Sequence, residues 1–269
     1  MDLFLVAVLL GIVEGVTEFL PVSSTGHLIL AGHALGFTGE RADIFEVVIQ
    51  AGAMLAVLGL YRQRLAGLLQ RGGQGFRGLR GLTALALTSA PALALGFVAH
   101  HAIKARLFNP VMVAAALLVG AAGILVVEQL RPRVQADSLD GLTPRSALGI
   151  GLFQCLALWP GMSRSASTIM GGMLLGVSRQ AATEYSFLAA LPIIGAATLY
   201  DLFKGVRAGS LHAADAPLFL VGLLVSAVAA WGAIRLFVRF VSVNTLRPFA
   251  VYRAGLALLV LLFPQAFGP

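Results

Sequence analysis

A short polar interruption inside an apolar region decides the fold: Glu14-Gly15-Val16-Thr17-Glu18-Phe19-Leu20-Pro21-Val22-Ser23-Ser24-Thr25-Gly26-His27-Leu28. Apolar residues extend on both sides of it, from about residue 3 to residue 36. Proline removes a backbone hydrogen-bond donor and disfavours helix at the residue before it. A helix that begins near residue 3 is therefore expected to stop before Pro21, which predicts two half-helices joined by an irregular turn.

The composition is that of a membrane protein. Of the 269 residues, 58% are hydrophobic and 12% are charged, whereas soluble domains carry about 25% charged residues. The net charge of +7 comes from arginines in short loops between apolar runs. No basic face interleaved with aromatic residues accompanies them, which argues against a nucleic-acid partner. The single cysteine, Cys155, excludes an intrachain disulfide and a thiolate metal cluster.

Six apolar runs are long enough to cross a hydrocarbon core, which takes roughly 20 helical residues. They cover about 44–61, 82–101, 108–128, 183–203, 215–238 and 249–266. A second interrupted region, about 146–178, carries Pro160-Gly161-Met162-Ser163-Arg164-Ser165 in its middle. Because irregular backbone at membrane depth must be shielded from lipid, we predict an all-α polytopic membrane protein. It has six transmembrane helices and two re-entrant helical hairpins in a single domain, residues 1–269.

The two halves of the chain, 1–134 and 135–269, resemble each other. The matching pairs are Gly11 with Gly151, Glu14 with Gln154, Pro21 with Pro160, Ser24 with Ser163, and Phe45-Glu46 with Thr183-Glu184. One hairpin plus three spans crosses the membrane an odd number of times, so a second copy of the unit must be inserted upside down. The pattern predicts an inverted-topology repeat.

The basic residues predict the orientation. Apart from Arg164 in a hairpin tip, this topology places thirteen on one side and five on the other. The thirteen are Arg62, Arg64, Arg71, Arg77, Arg80, Arg131, Arg133, Arg145, Arg179, Arg235, Arg239, Arg247 and Arg253, and the five are Arg41, Lys104, Arg106, Lys204 and Arg207. The positive-inside rule makes the first side cytoplasmic. Both termini are then expected on the outer face.

Two acids stand within the first half-helix. Glu14 and Glu18 are four residues apart, so their carboxylates project from one helix face. A charge at the bilayer centre costs at least about 2.5 kcal/mol and usually lines a functional cavity. Paired carboxylates suit a divalent cation or one shared proton. The alternative, that they only neutralise Arg164, leaves one of the two carboxylates without a partner.

The two hydroxyl-rich turns predict phosphate binding. Each precedes a half-helix whose first N–H groups lack intrahelical partners and bind anions, although helix capping alone is the simpler interpretation of one such run. Arg164 adds a guanidinium that binds phosphate oxygens bidentately. Ser24 is a candidate nucleophile and His27 a candidate base. The candidate phosphate-binding residues are Ser23, Thr25, Gly26, Ser163, Ser165 and Thr168.

Inverted repeats would bring the two turns together near the membrane midplane. Catalytic residues Glu18, Ser24, His27 and Arg164 would then face one another, with Glu14 and Glu18 as metal ligands. Such an assembly offers a nucleophile, a base, cation ligands and donors to an oxyanion, which metal-assisted phosphoryl transfer requires.

The two signature strings resemble those of the undecaprenyl-diphosphate phosphatase, or bacitracin-resistance (BacA), family. The strings are 14–28, quoted above, and Pro160-Gly161-Met162-Ser163-Arg164-Ser165-Ala166-Ser167-Thr168. The similarity extends to 45–50 and 153–159 and to the overall length. By resemblance, the family's functional acids match Glu14 and Glu18, and its serine, histidine and arginine match Ser24, His27 and Arg164.

The resemblance implies an enzyme of the bacterial cytoplasmic membrane. The family hydrolyses the terminal phosphate of undecaprenyl diphosphate at the outer, periplasmic face, which recycles the carrier lipid for cell-wall synthesis. The implied partners are this polyprenyl lipid, membrane lipids and a divalent cation, Mg²⁺ or Ca²⁺. Ser24 is the expected nucleophile, with His27 and water as alternatives.

Two questions stay open at this point. Inverted repeats with broken helices also describe secondary carriers, so a polyprenyl-phosphate transporter or flippase is the competing function. Small residues such as Gly171, Gly172 and Gly176 pack helices either within one chain or between two, which leaves a homodimer open.

Overall fold

The computed structural model describes residues 2–70, 72, 74–107, 109–130, 133–208 and 213–267. Within these ranges the chain forms eleven α-helices and no β-strand. The helices are α1 (Leu3–Thr17), α2 (Ser24–Ala34), α3 (Glu40–Leu60), α4 (Arg62–Leu68), α5 (Gly78–Leu107), α6 (Pro110–Leu130), α7 (Pro144–Gln154), α8 (Arg164–Leu174), α9 (Arg179–Ala208), α10 (Ala216–Val243) and α11 (Arg247–Leu262). The prediction of an all-helical protein is confirmed.

Five helices, α3, α5, α6, α9 and α10, are long and apolar enough to cross a membrane. They correspond to five of the six predicted spans, so the protein is a multi-pass membrane protein. The sixth predicted span, 249–266, corresponds to α11, which has 16 residues. At 1.5 Å per residue, α11 is about 24 Å long, which is shorter than a hydrocarbon core of about 30 Å.

Both predicted interruptions are present. The helix α1 ends at Thr17 and α2 begins at Ser24, with Pro21 between them. In the second half, α7 is followed by a 3₁₀ turn, Cys155–Leu158, and α8 begins at Arg164. Each break is therefore a turn between two short helices.

The first helix of each half packs against a long helix of the other half. Gly11 of α1 lies against the backbone of α10, where a Cβ would be 2.8 Å from the carbonyl oxygen of Gly222. Gly151 of α7 lies against α5 in the same way, 2.7 Å from the carbonyl oxygen of Thr88. Glycine permits this close approach in both places. Because α1 packs on α10 and α7 packs on α5, these contacts hold the two halves together.

The structure corrects the list of basic residues that orient the chain. Arg253 is fully buried within α11, so it does not belong among the residues predicted to lie in cytoplasmic loops. The segment 62–80 is also more than a loop, since it contains α4 and the buried ring of Phe76, which packs edge-on against Tyr185 at 5.8 Å. Arg71 and Arg131 lie outside the described residues.

The small residues of α8 and the following turn pack within the chain. A Cβ on Gly171 would meet Phe153, one on Gly172 would meet Ala182, and one on Gly176 would meet the carbonyl of Arg133. These three glycines therefore contact neighbours in the same chain rather than a surface for a second copy.

Candidate active site

A chain of hydrogen bonds links the two broken helices. The Ser24 hydroxyl donates to Glu18 Oε2 at 2.6 Å, and Arg164 Nη2 donates to Glu18 Oε1 at 2.8 Å. The ion-paired side chains are only 8% and 11% exposed. Charge-assisted hydrogen bonds in such surroundings are stronger than neutral ones, so Glu18 holds both a hydroxyl and a guanidinium in place.

The guanidinium of Arg164 is fixed on its other side by α9. Nη1 donates to the carbonyl of Ser186 at 2.9 Å, and Cζ lies 5.6 Å from the ring centroid of Phe19. Thr168 supports this contact by donating to the Ser186 hydroxyl at 2.7 Å. The Nε–H of Arg164 is buried and has no partner. Because an unsatisfied buried donor is costly, this N–H is left for a ligand.

A cavity of about 190 Å³ opens beside this chain. Its polar walls are Glu18, Ser23, Ser24, Thr25, Gln50, Gln154, Trp159, Ser163 and Arg164, and the rest is formed by Ala92, Ala157, Leu158, Pro160, Gly161, Ile193 and Ile194. The cavity therefore contains hydroxyls from both breaks, the carboxylate of Glu18 and the guanidinium of Arg164. That combination suits a phosphate group.

The two breaks have matching backbone geometry at the starts of α2 and α8. Ser23 has φ 74° and Ser163 has φ 71°, a region that side-chain-bearing residues rarely adopt. Each side chain caps its helix by accepting from a backbone N–H three residues on, at Gly26 and Ala166. Strained backbone of this kind clusters at functional sites. Here it directs the N-termini of α2 and α8 toward the cavity.

Three of the predicted phosphate ligands lie outside the cavity wall. Gly26 uses its N–H on the Ser23 cap. Ser165 is fully buried and donates to the carbonyl of Leu20 at 2.7 Å. The hydroxyl of Thr168 donates to the carbonyl of Arg164 and to the hydroxyl of Ser186. We therefore assign Ser165 and Thr168 to holding the breaks together, whereas Ser23, Thr25 and Ser163 line the cavity.

His27 is turned away from Ser24. Its Nδ1 lies 2.7 Å from the carbonyl of Ser23, and Nε2 lies 2.5 Å from the hydroxyl of Tyr252 on α11. The two rings stack with centroids 5.5 Å apart. Because both ring nitrogens are engaged, His27 is placed to hold the Ser23 turn rather than to accept the proton of Ser24.

Glu14 lies one turn behind Glu18 and is fully buried, with no hydrogen-bond donor to either carboxylate oxygen. A buried carboxylate without a partner is too costly to stay charged and bare, so it needs a cation or a proton. Within the described part of the chain, no three His, Cys, Asp or Glu side chains cluster as a metal site. Mg²⁺ often uses only one or two carboxylates together with waters and substrate phosphates. Of the pair, Glu18 lines the cavity, whereas Glu14 is not among the lining residues.

Sequence reasoning missed the role of Arg253. Its guanidinium donates to the carbonyl oxygens of Pro21 and Gly161, one in each break, at 3.2 and 3.0 Å, and also to Leu117 and Ala116 on α6. Gly120 leaves the space that the guanidinium fills. Arg253 lies four residues after Phe249, so in the sequence it resembles a loop residue. Only the fold shows that it donates hydrogen bonds to both turns.

Trp159 and Gln154 are two further cavity residues that were not among the predicted site residues. The indole Nε1 of Trp159 is buried without a partner, as is Oε1 of Gln154, whose Nε2 donates to the carbonyl of Thr88 at 2.9 Å. Trp159 thus has a second unused donor among the residues that line the cavity. In the sequence, the available indication for Trp159 was its position directly before Pro160.

The fold and site define a class: a multi-pass helical membrane protein with a polar cavity between two broken helices. A family model described as Bacitracin resistance protein BacA matches residues 7–259. The chain belongs to this family, as its two signature strings predicted.

The relatives it resembles carry one name. The undecaprenyl-diphosphatase of Maridesulfovibrio salexigens is 58% identical over 258 residues, which cover 96% of this chain and 97% of the relative. Those of Oleidesulfovibrio alaskensis and Solidesulfovibrio magneticus are each 56% identical, again over 96% of this chain and 98% and 97% of the relatives. All three names describe a hydrolase and none describes a carrier.

Proposed function

We infer that this chain hydrolyses undecaprenyl diphosphate to undecaprenyl phosphate and inorganic phosphate, which regenerates the carrier lipid for cell-wall synthesis. The observation that carries the inference is the chain from Ser24 through Glu18 to Arg164 at the cavity between two broken helices. Membership of the family and the names of the relatives identify the substrate.

Ser24 is the nucleophile of the proposed reaction. Its oxygen attacks the terminal phosphorus as its proton passes to Glu18 Oε2, 2.6 Å away. The bond from that phosphorus to the bridging oxygen breaks, and undecaprenyl phosphate leaves with the bonding electrons. Water then attacks the phosphoserine, inorganic phosphate leaves, and the proton on Glu18 returns to Ser24. The placement of His27 against Tyr252 supports Ser24 over His27.

The charge that develops on the phosphoryl oxygens meets donors on three sides. These are the guanidinium of Arg164, the indole N–H of Trp159 and the N-terminal N–H groups of α2 and α8. Preorganised donors in a site that excludes water are the largest contributors to catalysis of this kind. Two donors, Arg164 Nε and Trp159 Nε1, have no protein partner and need not break a bond to receive the substrate.

A divalent cation, Mg²⁺ or Ca²⁺, belongs to the proposal, with Glu14 and Glu18 as its protein ligands. When bound, the cation would neutralise charge on the diphosphate. The bare, buried carboxylate of Glu14 supports this assignment. Glu18 is engaged by Ser24 and Arg164, so we assign Glu14 mainly to the cation and Glu18 mainly to the proton.

The topology of the proposal is an inverted repeat of six spans and two re-entrant hairpins, open to the periplasm with both termini outside. The matched geometry at Ser23 and Ser163 and the exchange of α1 and α7 between halves support the repeat. Single cysteines introduced by Thr38→Cys and Gln74→Cys, in a Cys155→Ala background, should react from the outer and the cytoplasmic side respectively. Reaction of both from one side would overturn this topology.

The function is tested by phosphate release from undecaprenyl diphosphate by the purified chain, with Mg²⁺, Ca²⁺ or EDTA. We expect metal-dependent release by the wild type and its loss in the Arg164→Ala variant. A well-folded wild type that releases no phosphate with either metal would overturn the assignment and favour the carrier.

A further inference from the structure

The histidine beside the proposed nucleophile has a counterpart in the other half of the chain. Ser23 and Ser163 share a positive φ and the same capping hydrogen bond, so their backbones correspond. Four residues after each of them stand His27 and Ser167. Nδ1 of His27 lies 2.7 Å from the carbonyl oxygen of Ser23. The hydroxyl of Ser167 donates to the carbonyl oxygen of Ser163 at 2.9 Å, so both side chains hold the carbonyl of a strained serine.

The two side chains hold this carbonyl in different ways. A serine hydroxyl reaches the carbonyl one turn earlier from within its own helix, and its proton rotates to suit the acceptor. A neutral imidazole has only one N–H, and the partner of the second nitrogen decides which nitrogen carries it. The hydrogen bond from His27 therefore depends on what contacts its Nε2, whereas that from Ser167 depends on no further residue.

The geometry assigns the proton of the neutral His27 ring to Nδ1. The Ser23 carbonyl only accepts, so a proton on Nε2 would leave two acceptors facing each other at 2.7 Å. With the proton on Nδ1, Nε2 is an acceptor. The Tyr252 hydroxyl, 2.5 Å from Nε2, is then the donor. The two rings are parallel to within 2°, which keeps the hydroxyl beside this nitrogen.

The helix that carries Tyr252 also contacts the start of the same turn. The next residue, Arg253, is fully buried and donates to the carbonyl oxygen of Pro21 at 3.2 Å. Two consecutive residues of α11 thus reach the first break, one at Pro21 and the other through His27. Ser24 lies between these two points of contact, so α11 determines how the segment with the nucleophile is held.

We propose that Tyr252 is a positioning residue for the hydrolysis, acting on Ser24 through the Nδ1–H tautomer of His27. This inference rests on the proposed function, in which Ser24 is the nucleophile. The Tyr252 hydroxyl donates to Nε2, and Nδ1–H donates to the carbonyl of Ser23, whose peptide bond leads into Ser24. Small displacements of a reacting group slow a reaction strongly. Tyr252 therefore affects the chemical step although it is not among the residues that line the cavity.

The first test is Tyr252→Phe, which keeps the six-membered ring and removes the hydroxyl. We expect kcat for phosphate release from undecaprenyl diphosphate to fall about 3- to 10-fold, the usual net effect of one neutral hydrogen bond. KM should stay unchanged, because Arg164 and the other cavity donors are untouched. The matched control is Tyr200→Phe on α9, where Tyr200 is 61% exposed, and it should keep the wild-type kcat. A wild-type kcat in Tyr252→Phe would overturn the proposal.

A double-mutant cycle shows whether Tyr252 acts through His27. His27→Ser places a hydroxyl where the second half has Ser167, and this hydroxyl holds the Ser23 carbonyl without a partner on α11. Adding Tyr252→Phe to His27→Ser should therefore lower kcat no further, since coupled residues are not additive. Equal fold losses from Tyr252→Phe in both backgrounds would assign Tyr252 a general structural role and overturn the proposal.

The tautomer is measured directly by ¹⁵N NMR of the histidine rings in detergent at about pH 8, where an ordinary imidazole is neutral. The His27 signals are those absent from His27→Ser. The wild type should show a protonated Nδ1 and an unprotonated Nε2, and the Nε2 signal should shift in Tyr252→Phe. A proton on Nε2 in the wild type would overturn the proposal. This measurement needs neither substrate nor a folded Tyr252→Phe variant, so a wrong tautomer is distinguishable from a failed phosphatase assignment.

Discussion

The hydroxyl of Ser24 and the carboxylate of Glu18 are joined by a 2.6 Å hydrogen bond, although the Pro21 break separates them in the chain. The turn after α1 reverses direction so that the start of α2 returns to the carboxylate of the first half-helix. Arg164 then holds the same carboxylate from the other half of the protein. The proposed general base Glu18, the proposed nucleophile Ser24 and the guanidinium of Arg164 are thus one hydrogen-bonded group.

The rate of phosphate release by the Glu18→Gln variant should be about 10²- to 10⁴-fold lower than that of the wild type, because this is the usual contribution of a general base. The amide keeps the size of the side chain but cannot take the proton of Ser24. The matched control is Glu184→Gln on α9, whose carboxylate accepts from Gln180 and does not line the cavity. Comparable losses in both variants would show a general effect of removing charge.

Trp159→Phe should lower kcat/KM for undecaprenyl diphosphate by about 10- to 100-fold, because one hydrogen bond to a charged group contributes about 1.5–3 kcal/mol. An aromatic ring is kept, whereas the indole N–H and the second ring of the indole are removed. Trp231→Phe is the control, since Trp231 lies 44% exposed on α10 with Arg235 over its ring. An unchanged kcat/KM for Trp159→Phe would remove this donor from the mechanism.

Arg253→Met should destabilise the protein by at least about 1–3 kcal/mol, because a buried carbonyl oxygen that loses its donor costs about that much. The carbonyls of Pro21 and Gly161 would lose the donor that joins the two breaks. Thermal inactivation in detergent measures this, with exposed Arg247→Met as the control. If both variants inactivate at the same temperature as the wild type, the hydrogen bonds of Arg253 do not stabilise the two turns.

Asp140 should anchor the α4–α5 segment in a pH-dependent way. The hydrogen bond from the Phe76 N–H, followed by Arg64, lowers the pKa of Asp140 from its usual 3.8. A lowered folded-state pKa adds stability above the unfolded pKa, and this is lost as the pH falls through the folded value. Hydrogen exchange at Phe76 should therefore be slow at neutral pH and faster in Asp140→Asn. Asp137→Asn, without that contact, should exchange like the wild type.

The sequence could predict residues that are unusual for their surroundings. Glu18, Ser24 and Arg164 are polar residues within apolar runs, so their positions alone marked them as candidate functional residues. Ser165 and Thr168 share that property, but whether a hydroxyl faces the cavity depends on packing that composition does not encode. Their hydroxyls are used by the carbonyl of Leu20 and by Ser186 instead.

Other features depend on long-range contacts. Arg253 is separated from Pro21 by 232 residues in the chain, and His27 from Tyr252 by 225. No local pattern records that these residues meet. The break positions, by contrast, follow from proline and glycine chemistry, and the helix ends lie within a few residues of the predicted ones.

The most direct test compares Ser24→Ala with the wild type in phosphate release from undecaprenyl diphosphate, after both are shown to have the same thermal stability. The account predicts a loss of at least about 10³-fold, because the nucleophile is absent and only binding and charge stabilisation remain. Release by Ser24→Ala at the wild-type rate would contradict the central claim that the Ser24–Glu18 pair carries the reaction.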